Sequence, residues 1–116
     1  MADWFDRINQ QLDELRADCL AVEDRTLVPP DVRFDQAKAF VEGLRKIADF
    51  PNLPEPDVWP GVNGEIGITL EFPNETLELV VGHKIVARVS DESSEANLEL
   101  STLPQVLTRL ANQTAA

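Results

Sequence analysis

Tyrosine is absent from this 116-residue chain, and histidine, cysteine and basic residues are scarce. Phenylalanine and tryptophan together make up 6% of the residues, which is too few for a platform on which single-stranded nucleic acid stacks. The single cysteine, Cys19, excludes an intramolecular disulfide, and this is typical of a protein from a reducing compartment.

Residues that carry catalysis or bind metals are equally sparse. His83 is the only histidine, so the chain cannot assemble a zinc site from the usual Cys and His ligands. A Cys19–His83 nucleophilic pair has no sequence signature, and no phosphate-binding or dinucleotide-binding glycine motif is present. A carboxylate pair such as Glu71 with Glu78 would lie on an open sheet face, with little shelter to raise a pKa. We expect a non-enzymatic protein with no catalytic residue, cofactor or metal.

Long hydrophobic runs are also missing. No stretch approaches the roughly 20 apolar residues that span a bilayer. The opening residues, Met1 to Asp6, contain neither a basic segment nor an apolar one, so they do not read as a secretory signal. These features predict a cytoplasmic protein that does not bind membranes.

The charge is strongly acidic, with 21 acidic and 10 basic residues and a net charge of −11. Residues 1–50 hold 11 acids and 7 bases (11 − 7, an excess of 4), whereas residues 51–116 hold 10 and 3 (10 − 3, an excess of 7). This balance opposes direct binding to a nucleic acid and favours a basic protein surface, including the nucleic-acid-binding groove of a partner. The alternative is that the acidic surface only maintains solubility.

The hydrophobic pattern predicts a first helix over residues 3–25. Its apolar residues follow a heptad-like seam, widened by Trp4 and Leu20. The seam consists of Phe5, Ile8, Leu12, Leu15, Cys19 and Val22. It either packs on its own domain or serves as a self-association surface, which would make the chain an assembly subunit.

A second helix is expected over residues 32–49, after the break at Val28-Pro29-Pro30. Asp31 is the expected N-cap, with Asp35 as a rival. The apolar face consists of Phe34, Ala37, Phe40, Val41, Leu44, Ile47 and Ala48. The two helices together predict a helical hairpin over residues 3–49.

Four prolines make residues 50–64 a stiff strap without regular structure, anchored to the core by Val58 and Trp59. Alternating apolar residues then predict strands at 65–72, 76–81 and 84–90. The strands at 76–81 and 84–90 are expected to be joined by a tight turn at Gly82-His83, with glycine supplying a positive φ.

The predicted inward residues of the last strand are Ile85, Ala87 and Val89. Residues 90–97 are expected to form an exposed acidic loop, and residues 98–101 either a fourth strand or a lead-in. A C-terminal helix should cover 102–113. The sequence thus predicts a single α+β domain, with the helical hairpin packed on a three- or four-stranded antiparallel meander over residues 65–101.

Acidic side chains in the sheet half are the best candidate for a functional surface. The partner-binding residues predicted from the sequence are Glu65, Glu71, Glu75, Glu78, Asp91, Glu92 and Glu95, with Glu99 beside them. Such an array is suited to docking on a surface rich in Arg and Lys.

The segment from Pro54 to Phe72 combines a proline-rich lead, a glycine-containing turn and Ile68-Thr69-Leu70-Glu71-Phe72, followed by a second strand. This pattern, over roughly residues 34–90, is similar to one in small uncharacterised bacterial or mobile-element proteins. The chain departs from it at Asn63-Gly64-Glu65, where a Gly-Gly doublet is frequent, and at Phe72, where Trp is usual.

That resemblance carries no site residue. It implies a bacterial or mobile-element locus, where inhibitors, immunity factors and antitoxin-like proteins abound. The expectation is therefore a small acidic interaction protein that binds a basic partner. Its alternative is the assembly subunit that oligomerises through residues 3–25.

Overall fold

The computed structural model describes residues 4–22, 28–47 and 54–115. Within these ranges, three helices, α1 (Trp4–Leu20), α2 (Asp31–Ile47) and α3 (Leu103–Ala115), accompany five strands. The strands are β1 (Asp57–Pro60), β2 (Ile66–Glu71), β3 (Thr76–Val81), β4 (Ile85–Ser90) and β5 (Glu95–Leu98). They form one antiparallel sheet in the order β1-β2-β3-β4-β5. The predicted α+β class is confirmed, with one more strand than the largest number expected.

One face of this sheet is the centre of the hydrophobic core. Ile66, Ile68 and Leu70 of β2 are fully buried, and so are their β3 partners on the same face. Alternate residues of a strand point to the same side, so the period of two in the sequence produces this face directly. Each such side chain contributes about 1.5–3 kcal/mol when it leaves water.

Helix α1 presents its seam to this core. Phe5, Ile8, Leu12 and Cys19 are buried, and Leu15 and Val22 pack partly against them. The seam therefore lies inside the domain.

Leu20 does not widen the seam as expected, because its side chain is 69% exposed. Helix α1 ends at Leu20 rather than at residue 25. The remainder of the predicted helix, residues 23–25, lies outside the described residues.

Helix α2 lies against α1 as an antiparallel partner, and three ion pairs show the alignment. Arg16 at the end of α1 pairs with Asp31 at 3.2 Å, Lys38 pairs with Asp13, and Arg45 pairs with Asp6 at 3.4 Å. Asp31 is the first residue of the helix and not its cap, so that prediction was wrong.

The apolar face of α2 packs as predicted over its described part, since Phe34, Ala37, Val41 and Leu44 are buried. Ala48 and the side chain of Ile47 lie outside the described residues.

The proline-rich strap is not irregular throughout, which corrects the prediction for residues 50–64. Residues 57–60 form β1, and a 3-10 turn follows at Val62–Gly64, where Asn63 and Gly64 adopt φ of 57° and 75°. Pro60 is tolerated because Gly61 N–H donates to Glu65 O, which places position 60 on the outer side of the ladder. A proline there removes no hydrogen bond from the sheet.

The Gln11 side chain covers the free edge of β1. Its Oε1 accepts from Val58 N–H at 3.1 Å, and its Nε2 donates to Pro56 O at 2.8 Å. The amide thus pairs with the backbone as a neighbouring strand would. Arg7 adds an ion pair to Glu55 at 2.8 Å. Helix α1 therefore closes this edge of the sheet.

Two loop predictions also change. The β3–β4 connection is a tight turn in which Gly82 N–H donates to Lys84 O, but Gly82 does not have a positive φ; Gly64 is the only such glycine among the described residues. The expected acidic loop over 90–97 is shorter, because residues 95–98 pair with β4 as β5. Of residues 98–101, Leu98 ends β5 and Leu100 begins a 3-10 turn that leads into α3.

Replacing Gln11 by Ala should lower the free energy of unfolding by about 1–3 kcal/mol, because it leaves the Val58 N–H and Pro56 carbonyl without partners. Urea unfolding followed by circular dichroism measures this loss. Gln10→Ala is the matched control, since Gln10 donates to Glu14 on the exposed side of the same helix. Equal stability of the two variants would contradict the role given to Gln11.

Candidate functional site

The sheet face opposite the core is open. We call it the open face and define it by the outward residues of the strands. Of the residues that define it, only Gly67, which lies under the Trp59 ring, is buried; the others are exposed or half-buried, in contrast to the core face. The open face consists of Asp57, Trp59, Gly67, Thr69, Glu71, Thr76, Glu78, Val80, Val86, Arg88, Ser90, Glu95 and Asn97.

Trp59 is fixed on this face by its neighbours in β2. A Cβ atom at Gly67 would lie 2.1 Å from the Trp59 ring, so the indole lies directly over the space that glycine leaves. Its Nε1 donates to Thr69 Oγ1 at 2.8 Å. Val58 packs against the core as expected, but Trp59 does not anchor the strap there, which corrects that half of the prediction.

An apolar row crosses the open face from this indole. The register aligns Trp59 with Gly67, Gly67 with Val80, and Val80 with Val86. Val80 is half-buried and Val86 is 39% exposed. The row, which we call the Trp59 row, gives the open face an aromatic and aliphatic surface that water reaches.

Acidic side chains lie beside the Trp59 row. Glu71 is exposed and Glu78 half-buried, and neither has an ion-pair partner within residues 4–22, 28–47 and 54–115. Glu65 is half-buried just before β2, with its carboxylate close to Gly82. The structure thus places these three predicted residues on the same side of the sheet.

Arg88 divides this acidic surface. Its Nε lies 2.9 Å from the Glu95 carboxylate and 3.4 Å from Asn97 Oδ1 on β5. The predicted site residue Glu95 is therefore already paired within the open face. Glu78 also lies directly opposite Arg88 in the register. The face is mixed in charge at its β4–β5 side and acidic at its β2–β3 side.

Glu75 is engaged in an ion pair within the domain and is not part of the open face. Its two carboxylate oxygens accept from Arg109 of α3 at 2.7 and 3.3 Å, and its side chain is only 18% exposed. This bidentate pair, stronger than a single-point contact, fastens α3 to the β2–β3 turn.

Asp91 is also occupied locally. Its Oδ1 accepts from the backbone N–H groups of Ser93 and Ser94, both at 2.8 Å, and from both serine hydroxyls. The Ser93 and Ser94 N–H groups, followed by the Ser93 hydroxyl, lower the pKa of the Asp91 carboxyl. Asp91 therefore shapes the β4–β5 turn, and its neighbour Glu92 is exposed on that turn.

The β2–β3 and β4–β5 turns line an open cleft of about 530 Å³. Its lining includes Phe72, Asn74, Glu75, Asp91 and Glu92. Within the described part of the chain, no group of three or more His, Cys, Asp or Glu side chains is arranged to hold a metal ion. His83 is exposed at the opposite end of the sheet, beyond β3, and Cys19 is buried in α1.

Sequence reasoning missed the two residues that organise the open face, Trp59 and Arg88. The sequence signal for Trp59 is its alternation with the inward Val58, together with Gly67 near the start of β2. Alternation with the inward Ala87 and Val89 predicts that Arg88 points outward from β4. Its pairing with Glu95 depends on β5, a strand that the sequence hardly marks.

No helix in the described segments is both long enough and apolar enough to cross a membrane. The chain matches no protein-family model, no curated protein and no solved structure. The candidate site therefore depends on the geometry alone.

Gly67→Ala should destabilise the protein by about 1–3 kcal/mol, because the new methyl group displaces the Trp59 ring from β2. Chemical unfolding monitored by circular dichroism tests this. Gly43→Ala is the matched control, since no atom lies within 4 Å of its Cβ position and alanine favours the helix by about 0.5–1 kcal/mol. A neutral Gly67→Ala would show that the indole does not lie over β2.

Asp91→Ala should lower the melting temperature in a pH-dependent way. Since the folded-state pKa is below the ordinary value of 3.8, the stabilisation is complete above that value and is lost as the pH falls through the folded pKa. The difference between wild type and variant should be constant above about pH 5 and shrink below about pH 4. Glu92→Ala, at the exposed neighbour, should give no such trend; a difference independent of pH for Asp91→Ala would contradict the assignment.

Proposed function

We propose that this chain is a small non-enzymatic interaction protein that binds a basic protein surface through the open face. The observation that carries the proposal is the Trp59 row on a sheet face that no described element covers. Beside it lie the carboxylates of Glu71 and Glu78, which form no ion pair with the described residues.

The apolar row and the carboxylates of the open face contribute differently to binding. Trp59, Val80 and Val86 supply apolar area, and tryptophan is among the residues that dominate binding energy in interfaces. Because Thr69 and Gly67 already fix the indole, little side-chain freedom is lost when a partner covers it. Glu71 and Glu78 attract a basic partner and orient it, which raises the association rate and excludes acidic competitors.

The net charge of −11 extends this attraction over the whole molecule. A partner with an Arg- and Lys-rich groove, such as a protein that itself binds nucleic acid, meets both requirements. An inhibitor, immunity or antitoxin-like factor from a bacterial or mobile-element locus acts in this way, by covering the functional groove of its target in the cytoplasm. The resemblance of residues 34–90 to small bacterial and mobile-element proteins supports this version of the proposal.

Self-association through the N-terminal helix is the second candidate. Its seam residues are packed in the core, so the contact would have to use the outer side of α1. The observation in its favour is that Leu20 and Val32 are large apolar side chains with exposures of 69% and 56%.

A pair of charge variants tests the proposal. Glu71→Lys with Glu78→Lys reverses two carboxylates on the open face and changes the net charge from −11 to −7 (−11 + 4). Asp18→Lys with Asp35→Lys makes the same change in net charge on exposed positions of α1 and α2. Proteins retained from a lysate of the native host are identified for each tagged form, and the affinity of a retained partner is then measured at several salt concentrations.

We expect the open-face variant to lose at least about tenfold in affinity, whereas the helix variant keeps its partner. Wild-type binding should weaken steeply as salt rises from 0.05 to 0.5 M (roughly a threefold shorter screening length). Equal effects of the two variants, or a complex that does not respond to salt, would overturn the assignment to this face.

A further inference from the structure

The rest of the chain covers the β1 edge of the sheet and leaves the β5 edge exposed. At β1, Gln11 binds the outward Pro56 carbonyl and the outward Val58 N–H, and Pro60 has no N–H to offer. At β5, residues Glu95, Ala96 and Asn97 are all exposed. An exposed strand edge is a row of donors and acceptors ready to pair with another chain.

The register shows which β5 groups are unpaired. Asp91 N–H donates to Ser94 O at 2.9 Å, so these two residues form a hydrogen-bonded pair at the turn. Hydrogen-bonded and non-hydrogen-bonded pairs alternate along an antiparallel ladder. Ser90 with Glu95 and Arg88 with Asn97 are therefore non-hydrogen-bonded pairs. The N–H and C=O groups of Glu95 and Asn97 point away from β4 to the free edge.

Hydrogen bonds at the other turns give the same alternation. Phe72 N–H donates to Glu75 O, and Gly82 N–H donates to Lys84 O. When the alternation is followed from these two turns through β3 and β4, the N–H and C=O groups of the odd-numbered β4 residues point towards β5. There they face Ala96 and Leu98. The outward direction of Glu95 and Asn97 is thus fixed by three turns.

We propose that this β5 edge accepts an extended basic segment of the partner protein as a sixth strand. The basic character of that segment rests on the proposed function. The hydrogen bonds, in contrast, depend only on the backbone of Glu95 and Asn97. An added strand places alternate side chains on the two sheet faces.

Charge and shape define the segment. On the open-face side it meets the Arg88–Glu95 pair, and the exposed carboxylates of Glu92 and Glu99 lie at either end of β5, so Lys or Arg fits beside those two. On the core side it meets Ala96 and the half-buried Leu98, so a β-branched apolar residue fits. A second copy of this chain is opposed by its own charge of −11.

The probe is a capped six-residue peptide of alternating Lys and Val, with a Glu and Val peptide of the same pattern as its control. The key variant is Asn97→Pro, which removes one outward N–H but no hydrogen bond to β4. Asn97→Ala, which keeps the N–H, is its matched control. Affinities are measured by isothermal titration calorimetry, and circular dichroism verifies that each variant is folded.

We expect the Lys and Val peptide to bind wild type and Asn97→Ala alike, and to bind Asn97→Pro about tenfold more weakly. The Glu and Val peptide should not bind. Equal binding to Asn97→Pro would overturn the edge assignment while leaving the proposed function in place, and an absence of binding to wild type would overturn it as well.

Amide mapping of the wild type keeps the test decisive should Asn97→Pro fail to fold. On adding the Lys and Val peptide, the largest nuclear magnetic resonance shifts should fall on the Glu95 and Asn97 amides. Shifts confined to Glu71 and Glu78 would place the peptide on the open face and refute the edge site. A wild-type dimer that Asn97→Ala keeps and Asn97→Pro loses would show a second copy at the edge, which also contradicts the proposal.

Discussion

The structure depends on one constraint, the burial of a single face of the antiparallel sheet. Ile66, Ile68 and Leu70, with their partners on β3, cannot face water without a large loss of stability. The α1–α2 hairpin and α3 supply the cover, and the Glu75–Arg109 ion pair links α3 to the β2–β3 turn. With all three helices on one side, the opposite face has no cover from the described residues. The surface available for a partner thus follows from the way in which the core is built.

The same helices close one edge of the sheet and leave the other open. Gln11 binds the Pro56 carbonyl and the Val58 N–H, and Pro60 lacks an N–H, so that edge is poorly suited to pairing with another strand. At the far side the chain leaves β5 through a 3-10 turn into α3, and Glu95 and Asn97 remain exposed. The open face and the β5 edge meet at Glu95. The two proposed contact surfaces are therefore continuous, and one partner can reach both.

Most of the fold could be predicted from local patterns in the sequence. The alternation in β2 and β3 and the apolar periodicity of α1 and α2 could be recognised because burial imposes them on neighbouring residues. Two strands were missed for physical reasons. Prolines around β1 suggested irregular structure, but an edge strand tolerates them at outward positions. Strand β5 lacks apolar alternation, since three of its four residues are exposed.

The acidic site was predicted less well than the fold. Whether a carboxylate is free depends on partners that are distant in sequence, as the pairing of Glu75 with Arg109 across 34 positions shows. The role of Trp59 could not be predicted, because it depends on the register that places its ring over Gly67.

The central claim is that α1 closes the β1 edge while the β5 edge stays open. Amide hydrogen exchange of the free protein, resolved by residue, tests this most directly. Val58 N–H, although on an edge strand, should be protected by Gln11, and the amides of Ala96 and Leu98 should be protected by β4. The amides of Glu95 and Asn97 should exchange far faster than those two neighbours. Strong protection of Glu95 and Asn97, or rapid exchange of Val58, would contradict the account.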